Sequence, residues 1–123
     1  MSGARVILSE PDQARAEMAK RFGADIVLNP VEIDVVKEVK KITNGEGANV
    51  VFNTTPVTAL ASQAIEMTAM MGRMVQYSSM HPDNPVEVSP NYIHNTEIVI
   101  TGSKSPSVKA FDVSARILSK KIV

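Results

Sequence analysis

The sequence is short, electrically balanced and ordinary in composition. It has 123 residues, of which 44% are hydrophobic and 21% charged, and a formal net charge of zero. This length corresponds to one compact domain over residues 1–123. The absence of net basic charge argues against nucleic acid or an anionic membrane surface as a partner. No apolar run approaches the roughly 20 residues of a membrane-spanning helix, the N-terminus lacks a secretory pattern, and there is no cysteine for a disulfide or a thiolate zinc site. We therefore expect a cytoplasmic protein.

Short β-rich segments alternate with helical patterns along the chain. The predicted strands are Arg5 to Ser9, Asp25 to Leu28, Asn49 to Thr54, Arg73 to Ser78 and Glu97 to Thr101. Such alternation is typical of a parallel sheet that carries helices on both faces. The sequence therefore predicts an α/β fold with a doubly wound, parallel, five-stranded sheet.

Three helices are predicted between the first four strands, each from an apolar stripe at helical spacing. The stripes are Ala14, Met18 and Phe22; Val35, Val39 and Ile42; and Leu60, Ala64, Met67 and Met71. Pro11 suits the first turn of the first helix, and Gly23 suits its end. Asn44-Gly45 and Gly72 end the other two helices. We interpret the apolar side chains of these helices as core.

The last third of the chain differs in pattern. The segment from His81 to Thr96 contains three prolines, so it is too proline-rich for a helix and too long for a tight turn, and we expect it to wrap the edge of the sheet. A fourth helix is predicted to begin with Ser105 as its N-cap and Pro106 in its first turn. Its inward-facing residues are Val108, Phe111, Ala115 and Leu118.

An acidic residue directly follows the first predicted strand. The segment VILSEPDQAR places Glu10 there and Arg15 one turn into the next helix. At the carboxyl end of the second strand of a dinucleotide-binding sheet, an acid accepts hydrogen bonds from the adenosine ribose of NAD, and its charge repels the extra phosphate of NADP. The alternative is an acid that only complements the helix dipole and an arginine that is only solvated. Taken alone, this short pattern favours the alternative.

A resemblance over most of the chain changes that balance. The most specific segments are Arg15 with FGAD (Phe22 to Asp25), GEGANVV (Gly45 to Val51) and PNYIHNTEIVITGS (Pro90 to Ser103). Over residues 4–121 the sequence resembles the coenzyme domain of the zinc-type medium-chain alcohol and polyol dehydrogenases, the group that includes sorbitol and threonine dehydrogenases. The resemblance implies a partial Rossmann fold, NAD as cofactor, and a parent enzyme that transfers a hydride between a secondary alcohol and NAD.

The resemblance also implies a set of cofactor-binding residues at the strand ends. They are Glu10, Arg15, Asn53, Thr54, Thr55, Tyr77, Ser78, Ser79, Ile100 and Gly102. The first two would hold the adenosine ribose and the adenine side, and the three after the third strand would flank the adenine. The tyrosine and the two serines would approach the nicotinamide ribose and ring, and the backbone of the last strand its carboxamide. The sequence departs from the family at Asn53 to Pro56, where an acid, two small or aliphatic residues and a glycine are common.

The larger departure is what the sequence lacks. Met1-Ser2-Gly3 runs straight into the strand that corresponds to the family's second strand, so the family's first strand, its glycine-rich turn and the following helix are expected to be missing. No GxGxxG occurs, and Gly45 to Gly47 is a helix stop rather than a phosphate loop. Because the pyrophosphate of a dinucleotide binds at such a glycine turn, the chain is expected to bind NAD weakly. The resemblance places the catalytic zinc in the parent enzyme's other domain, so we expect this chain alone to be inactive. His81 and His94 are interpreted as structural.

The missing strand has a consequence for the sheet. Removing the central strand from the Rossmann order 3-2-1-4-5-6 leaves, after renumbering, the flavodoxin-like order 2-1-3-4-5. We expect the sheet to close in this way, with Val6 to Leu8 paired with Val50 to Phe52, because unpaired strand edges aggregate. By resemblance, the edge strand Glu97 to Thr101 is expected to join two copies into a homodimer.

Two functions of other classes remain as alternatives. One is a non-catalytic α/β module for nucleotide binding or protein interaction, which the missing glycine loop favours. The other is a flavodoxin-like or receiver-like protein. It is the weaker alternative, because Ser9-Glu10 ends the first strand without a phosphate-binding loop or an acidic cluster.

Overall fold

The computed structural model describes residues 3–105 and 107–120. Five strands alternate with five helices over this part of the chain. The elements are β1 (Ile7–Ser9), α1 (Gln13–Arg21), β2 (Ile26–Leu28), α2 (Val35–Ile42), β3 (Ala48–Asn53), α3 (Thr58–Glu66), β4 (Thr68–Gln76), α4 (Pro90–Thr96), β5 (Val99–Gly102) and α5 (Val108–Ser119). The chain divides into two compact units: one holds β1, α1, β2 and α5, and the other runs from Val36 to Lys104.

The first unit begins with a parallel pair of strands joined by a helix. β1 pairs with β2 in the register Ile7↔Ile26, and Leu28 at the end of β2 is buried. The side chain of Asp12 caps α1. Gly23 leaves the helix with a left-handed φ of 96°, as predicted. Pro11 precedes the cap rather than occupying the first turn, because the Asp12 carboxylate can accept the first free N–H groups of the helix.

Two predictions about apolar side chains in this unit are wrong. Met18 and Phe22 of the first stripe are 55% and 81% exposed. All described residues of α5 are exposed, including those predicted to face inward, which are Val108, Phe111, Ala115 and Leu118. Spacing defines an apolar side of a helix, but it cannot provide a surface that buries it. The N-cap of α5 is Ser107 and not Ser105, and Pro106 lies outside the described residues.

The second unit is built on a three-stranded parallel sheet in the order β3-β4-β5. Its register aligns Asn53 with Gln76 and Gln76 with Gly102, so the carboxyl ends of all three strands lie in one row. A cluster of buried residues covers one face of this sheet: Ala61, Ala64, Ile65, Met74 and Ile98. On β3, Val51 packs against this cluster, whereas Val50 and Phe52 are 51% and 65% exposed. The alternation of a strand therefore leaves an uncovered apolar face.

The backbone packs closely where β3 and β4 begin. A Cβ on Gly47 would lie 2.6 Å from the Met67 carbonyl oxygen, and one on Gly72 would lie 2.7 Å from the Ala69 carbonyl oxygen. α3 ends at Glu66 and β4 begins at Thr68, so the predicted extension of α3 to Met71 is wrong. Met71 lies inside β4 with a left-handed φ of 57°, at the point where the register with β3 shifts between Ala48 and Val50.

The proline-rich segment contains a helix that the sequence analysis excluded. α4 covers Pro90–Thr96, with Ser89 as N-cap and Pro90 in the first turn. Proline is tolerated there because the N–H that it lacks has no partner in a first turn. The prediction of a structure without a helix from His81 to Thr96 is therefore wrong for its last seven residues.

The order of the strands also differs from the prediction. The five strands form two hydrogen-bonded sheets, β1-β2 and β3-β4-β5, so the single sheet of order 2-1-3-4-5 is wrong. In the Rossmann order, the strands that correspond to β1 and β3 each pair with a central strand. In the described residues each of these two strands is hydrogen-bonded only within its own sheet, β1 to β2 and β3 to β4.

The fold class itself is confirmed. Parallel strands alternate with helices as the sequence predicts, and every predicted strand overlaps an observed one. A single folded domain over residues 1–123 stays a prediction.

Candidate functional site

The acid after the first strand is held by three backbone and side-chain contacts. The backbone N–H of Glu10 donates to the carbonyl oxygen of Leu28 at 3.0 Å, which continues the pairing of β1 with β2 by one residue. Its Oε1 accepts from Nη2 of Arg15 at 3.0 Å and from the N–H of Asp12 at 2.9 Å. The side chain of Glu10 is 18% exposed and that of Arg15 is 67% exposed. The carboxylate is therefore fixed in position at the carboxyl end of β1.

The local sequence explains this geometry. Asp12 caps α1 by accepting the N–H of Arg15 at 2.8 Å, which places Arg15 in the first turn of the helix. From there the guanidinium reaches back over the turn to Glu10. The short segment from Glu10 to Arg15 thus positions the acid and the cation with one helix cap.

These contacts keep Glu10 ionised. The hydrogen bonds from the Arg15 guanidinium and from the Asp12 N–H lower the pKa of the Glu10 carboxyl, and the same ion pair raises the pKa of Arg15. Within residues 3–105 and 107–120, both hydrogen bonds to this carboxylate end on Oε1. Oε2 is left as an acceptor for a hydroxyl or N–H donor of a ligand.

A second group of predicted site residues lies at the carboxyl ends of the β3-β4-β5 sheet. A chain of side-chain hydrogen bonds crosses from β3 to β4. Nδ2 of Asn53 donates to Oε1 of Gln76 at 2.9 Å, and Nε2 of Gln76 donates to the carbonyl oxygen of Ser78 at 2.6 Å. On the other side, Oδ1 of Asn53 accepts from Oγ1 of Thr55 at 2.8 Å and from its N–H at 3.2 Å. Asn53 is 5% exposed, so every polar atom of its side chain has a partner.

The backbone fixes the same region. The N–H groups of Tyr77 and Ser78 donate to the carbonyl oxygen of Asn53 at 3.0 and 3.4 Å, and the N–H of Ser103 donates to the carbonyl oxygen of Gln76 at 3.0 Å. Tyr77 is 57% exposed. The turns after β3, β4 and β5 are therefore held together at one rim.

The structure brings some predicted site residues together and leaves others apart. Glu10 contacts Arg15 in the first unit. In the second unit Asn53, Thr55 and Ser78 share one network, but Thr54 and Ser79 are exposed beside it. Gly102 ends β5 next to Gln76, whereas Ile100 lies two residues further inside the strand and is paired with Met74. The predicted residues thus form two local groups, one in each unit.

The sequence analysis missed the residue that connects the network. Gln76 pairs with Asn53 from 23 positions away and contacts the turn after β4. An amide side chain at the carboxyl end of each of two neighbouring strands was the available signal, but it depends on knowing their register. Asp12, which caps α1 and also donates to Glu10, was missed as a contributor to the site.

The residues present do not fit a zinc site. The sequence has no cysteine, and no group of three histidine, aspartate or glutamate side chains in the described residues could hold a metal ion. His81 and His94 are exposed.

Among the helices of residues 3–105 and 107–120, none has the length and apolar character needed to cross a bilayer.

The sequence of this chain is similar to those of known dehydrogenases. Residues 1–120 match the family described as Zinc-binding dehydrogenase. The (R,R)-butanediol dehydrogenase of Neisseria gonorrhoeae is 35% identical over 102 residues, which are 82% of this chain and 28% of that protein. The L-threonine 3-dehydrogenase of Pyrococcus horikoshii is 44% identical over 69 residues, which are 56% of this chain and 20% of that protein.

The fold has a counterpart among solved structures. The alcohol dehydrogenase of the archaeon Aeropyrum pernix superposes with a TM-score of 0.88 over 98% of this chain and 34% of that one, at 21% identity. The chain thus spans about a third or less of the length of these proteins. The fold agrees with the family match, and the resemblance found in the sequence is confirmed: this chain belongs to the zinc-binding dehydrogenases, a family of oxidoreductases.

Proposed function

We propose that this chain forms the NAD-binding part of a zinc-type dehydrogenase that transfers a hydride between a secondary alcohol and NAD. The observation that carries the proposal is the Glu10 carboxylate, which is fixed at the end of β1 and keeps Oε2 as an acceptor. A ribose presents two neighbouring hydroxyls, and an ionised carboxylate is the side chain that accepts from both.

The remaining site residues take roles that follow from their chemistry. Arg15 holds Glu10 through Nη2 and can lie against the adenine with the rest of its guanidinium plane. Asn53, Thr54 and Thr55 flank the adenine. The segment Tyr77 to Ser79 approaches the nicotinamide ribose and ring, and the backbone from Ile100 to Gly102 approaches its carboxamide.

In this proposal the chain binds and orients, and the reactive groups come from elsewhere. NAD, when bound, supplies the ring that accepts the hydride. The side chains of this chain hold the ribose and limit the orientation of the ring, but no zinc ligand set is available in the described residues. Because the sequence contains no GxGxxG turn, the affinity of this chain for NAD is weak and its activity alone is absent.

Titration of the chain with AMP, NADH and NADPH tests the proposal. We expect AMP and NADH to bind, NADPH to bind more weakly, and Glu10→Ala to reduce AMP affinity by about tenfold, since a hydrogen bond to a charged group is lost. The matched control is Glu17→Ala, which removes the same charge from the exposed face of α1. Equal AMP affinity in Glu10→Ala and the parent chain, or no binding of AMP by the parent, contradicts the proposal.

A non-catalytic nucleotide-binding module is the second candidate, favoured by the missing glycine turn and cysteines. It predicts that AMP and NADH bind equally well, because no part of the site then engages the nicotinamide half. Tighter binding of NADH than of AMP, reduced by Tyr77→Ala, supports the dehydrogenase proposal instead.

We also propose that the chain forms a homodimer through β5 and works in the cytoplasm. β5 is the outer strand of its sheet, and Val99 and Ile100 are 44% and 42% exposed. An open strand edge with apolar side chains favours pairing with a second copy. Light scattering at high protein concentration tests this: a dimer that Val99→Lys dissociates and Val31→Lys leaves intact supports it, and a monomer contradicts it. Cell fractionation tests the location.

A further inference from the structure

The hydrogen bonds around Asn53 have a direction that the backbone fixes at both ends. The Thr55 N–H can only donate, so the Asn53 atom that it reaches at 3.2 Å is the oxygen. The Ser78 carbonyl can only accept, so the Gln76 atom 2.6 Å away is the nitrogen. Neither amide can be reversed without losing a backbone partner. Thr55 therefore donates to Asn53, Asn53 donates to Gln76, and Gln76 donates to Ser78.

This direction determines what the Thr55 hydroxyl can offer to a ligand. A hydroxyl has one proton and two lone pairs. Its proton is engaged by Oδ1 of Asn53 at 2.8 Å, and Asn53 is buried, so no water competes for that contact. Thr55 itself is half-buried and reachable from solvent. Toward a bound molecule, Oγ1 of Thr55 is therefore an acceptor only.

We propose that Thr55 makes this rim selective for a base that carries an amino group, so that the site prefers adenine to hypoxanthine. The inference rests on the proposed function, which places the adenine beside this turn. Adenine has an exocyclic amine that donates to Oγ1. Hypoxanthine has a carbonyl oxygen at the same position, which would bring two acceptors face to face and leave both without a donor.

The comparison of AMP with IMP on the full chain tests the inference, since the two bases differ in the group at position 6, an amine against a carbonyl oxygen, and in the proton that hypoxanthine carries on the neighbouring ring nitrogen N1. In the parent chain AMP should bind about tenfold more tightly than IMP, as for one hydrogen bond made rather than opposed. Thr55→Val keeps the backbone N–H on Asn53, so the fold is retained, and the two nucleotides should then bind within about twofold of each other. Thr55→Ser retains the hydroxyl and should restore the preference.

The matched control is Thr96→Val, which removes a hydroxyl of α4 that donates to the Tyr92 carbonyl oxygen. It should leave the ratio of AMP to IMP affinity unchanged. Equal binding of AMP and IMP by the parent chain, or an unchanged ratio in Thr55→Val, overturns the inference and leaves the proposed function standing. Failure of the parent chain to bind either nucleotide overturns both.

Discussion

The side-chain amide of Asn53 donates to that of Gln76 at 2.9 Å and so joins the carboxyl ends of β3 and β4. Both strands end in the same row of the sheet, which brings an amide from each into contact. The turn after each strand is then tied to the amide of its own strand, Thr55 to Asn53 and Ser78 to Gln76. One pair of side chains thus sets the shape of two turns that the proposed function assigns to the dinucleotide.

Removing the amide of Asn53 should destabilise the chain. In Asn53→Leu, Oε1 of Gln76 loses its donor, and the half-buried hydroxyl of Thr55 loses its acceptor. We expect the free energy of unfolding, measured by urea titration, to fall by about 1–3 kcal/mol. Asn84→Ala changes an exposed amide and should shift it by less than about 0.5 kcal/mol. An equal effect of the two substitutions contradicts the network.

Substitutions at the two glycines after α2 should distinguish the cost of a strained backbone from the cost of a steric conflict. Gly45 and Gly47 have left-handed φ values of 93° and 92°, but only at Gly47 would a Cβ meet other atoms, with the Met67 carbonyl oxygen at 2.6 Å. Gly45→Ala should cost about 1 kcal/mol of stability from the conformation alone. Gly47→Ala carries the same strain plus the conflict, so it should lower the melting temperature clearly further. Equal losses would show that the turn relaxes around the methyl group.

The ion pair at the end of β1 predicts a pH dependence. Because the pKa of Glu10 is lower in the folded chain than in the unfolded chain, its contribution to stability is present above the ordinary carboxyl pKa and is lost as the pH falls through the folded value. Arg15→Met should raise the pKa of Glu10, as measured by NMR titration of its side-chain carbon. Lys20→Met removes a cation elsewhere on α1 and should not change it.

Binding of AMP should follow the same titration. The proposed contact with the ribose needs the ionised carboxylate, so AMP affinity should fall as the pH drops through the Glu10 pKa. The midpoint of this loss should move to higher pH in Arg15→Met. A binding curve that does not respond to Glu10 ionisation contradicts the role proposed for this residue.

Tyr92 offers a test of the second unit that is independent of nucleotides. Its hydroxyl donates to the Ile65 carbonyl oxygen at 3.2 Å, and burial together with the nearby Glu66 charge raises the pKa of its phenol. Its contribution to stability is therefore present below the ordinary phenol pKa and is lost as the pH rises through the folded value. In a Tyr77→Phe background Tyr92 is the only tyrosine, so phenolate absorbance reports on this residue alone. The substitution Glu66→Gln should lower the pKa of Tyr92 in this background.

Local features were the ones that the sequence predicted well. The helix after β1 was predicted from residues close together in the sequence, although the Asp12 cap and the contact of Arg15 with Glu10 were not. The stop at Gly23 is equally local. In contrast, α4 was missed because the three prolines were counted together, although Pro90 after Ser89 is a normal helix start.

Long-range relations were not readable from the sequence. Gln76 meets Asn53 only because β3 and β4 pair in one particular register, and no local pattern determines that register. The division into two sheets has the same origin, since a strand segment does not indicate which neighbour it will pair with. The sequence shows which side chains are polar or charged, but it does not show which distant residues these side chains contact.

The uncovered side of α5 has a thermodynamic consequence. Phe111 and Leu118 are already 67% and 66% exposed in the folded chain, so unfolding transfers little additional hydrocarbon from these residues into water. The heat capacity change of unfolding and the steepness of the urea transition both scale with newly hydrated area. Both should fall below the values expected for a chain of 123 residues, and a molecule that later covered α5 would restore them.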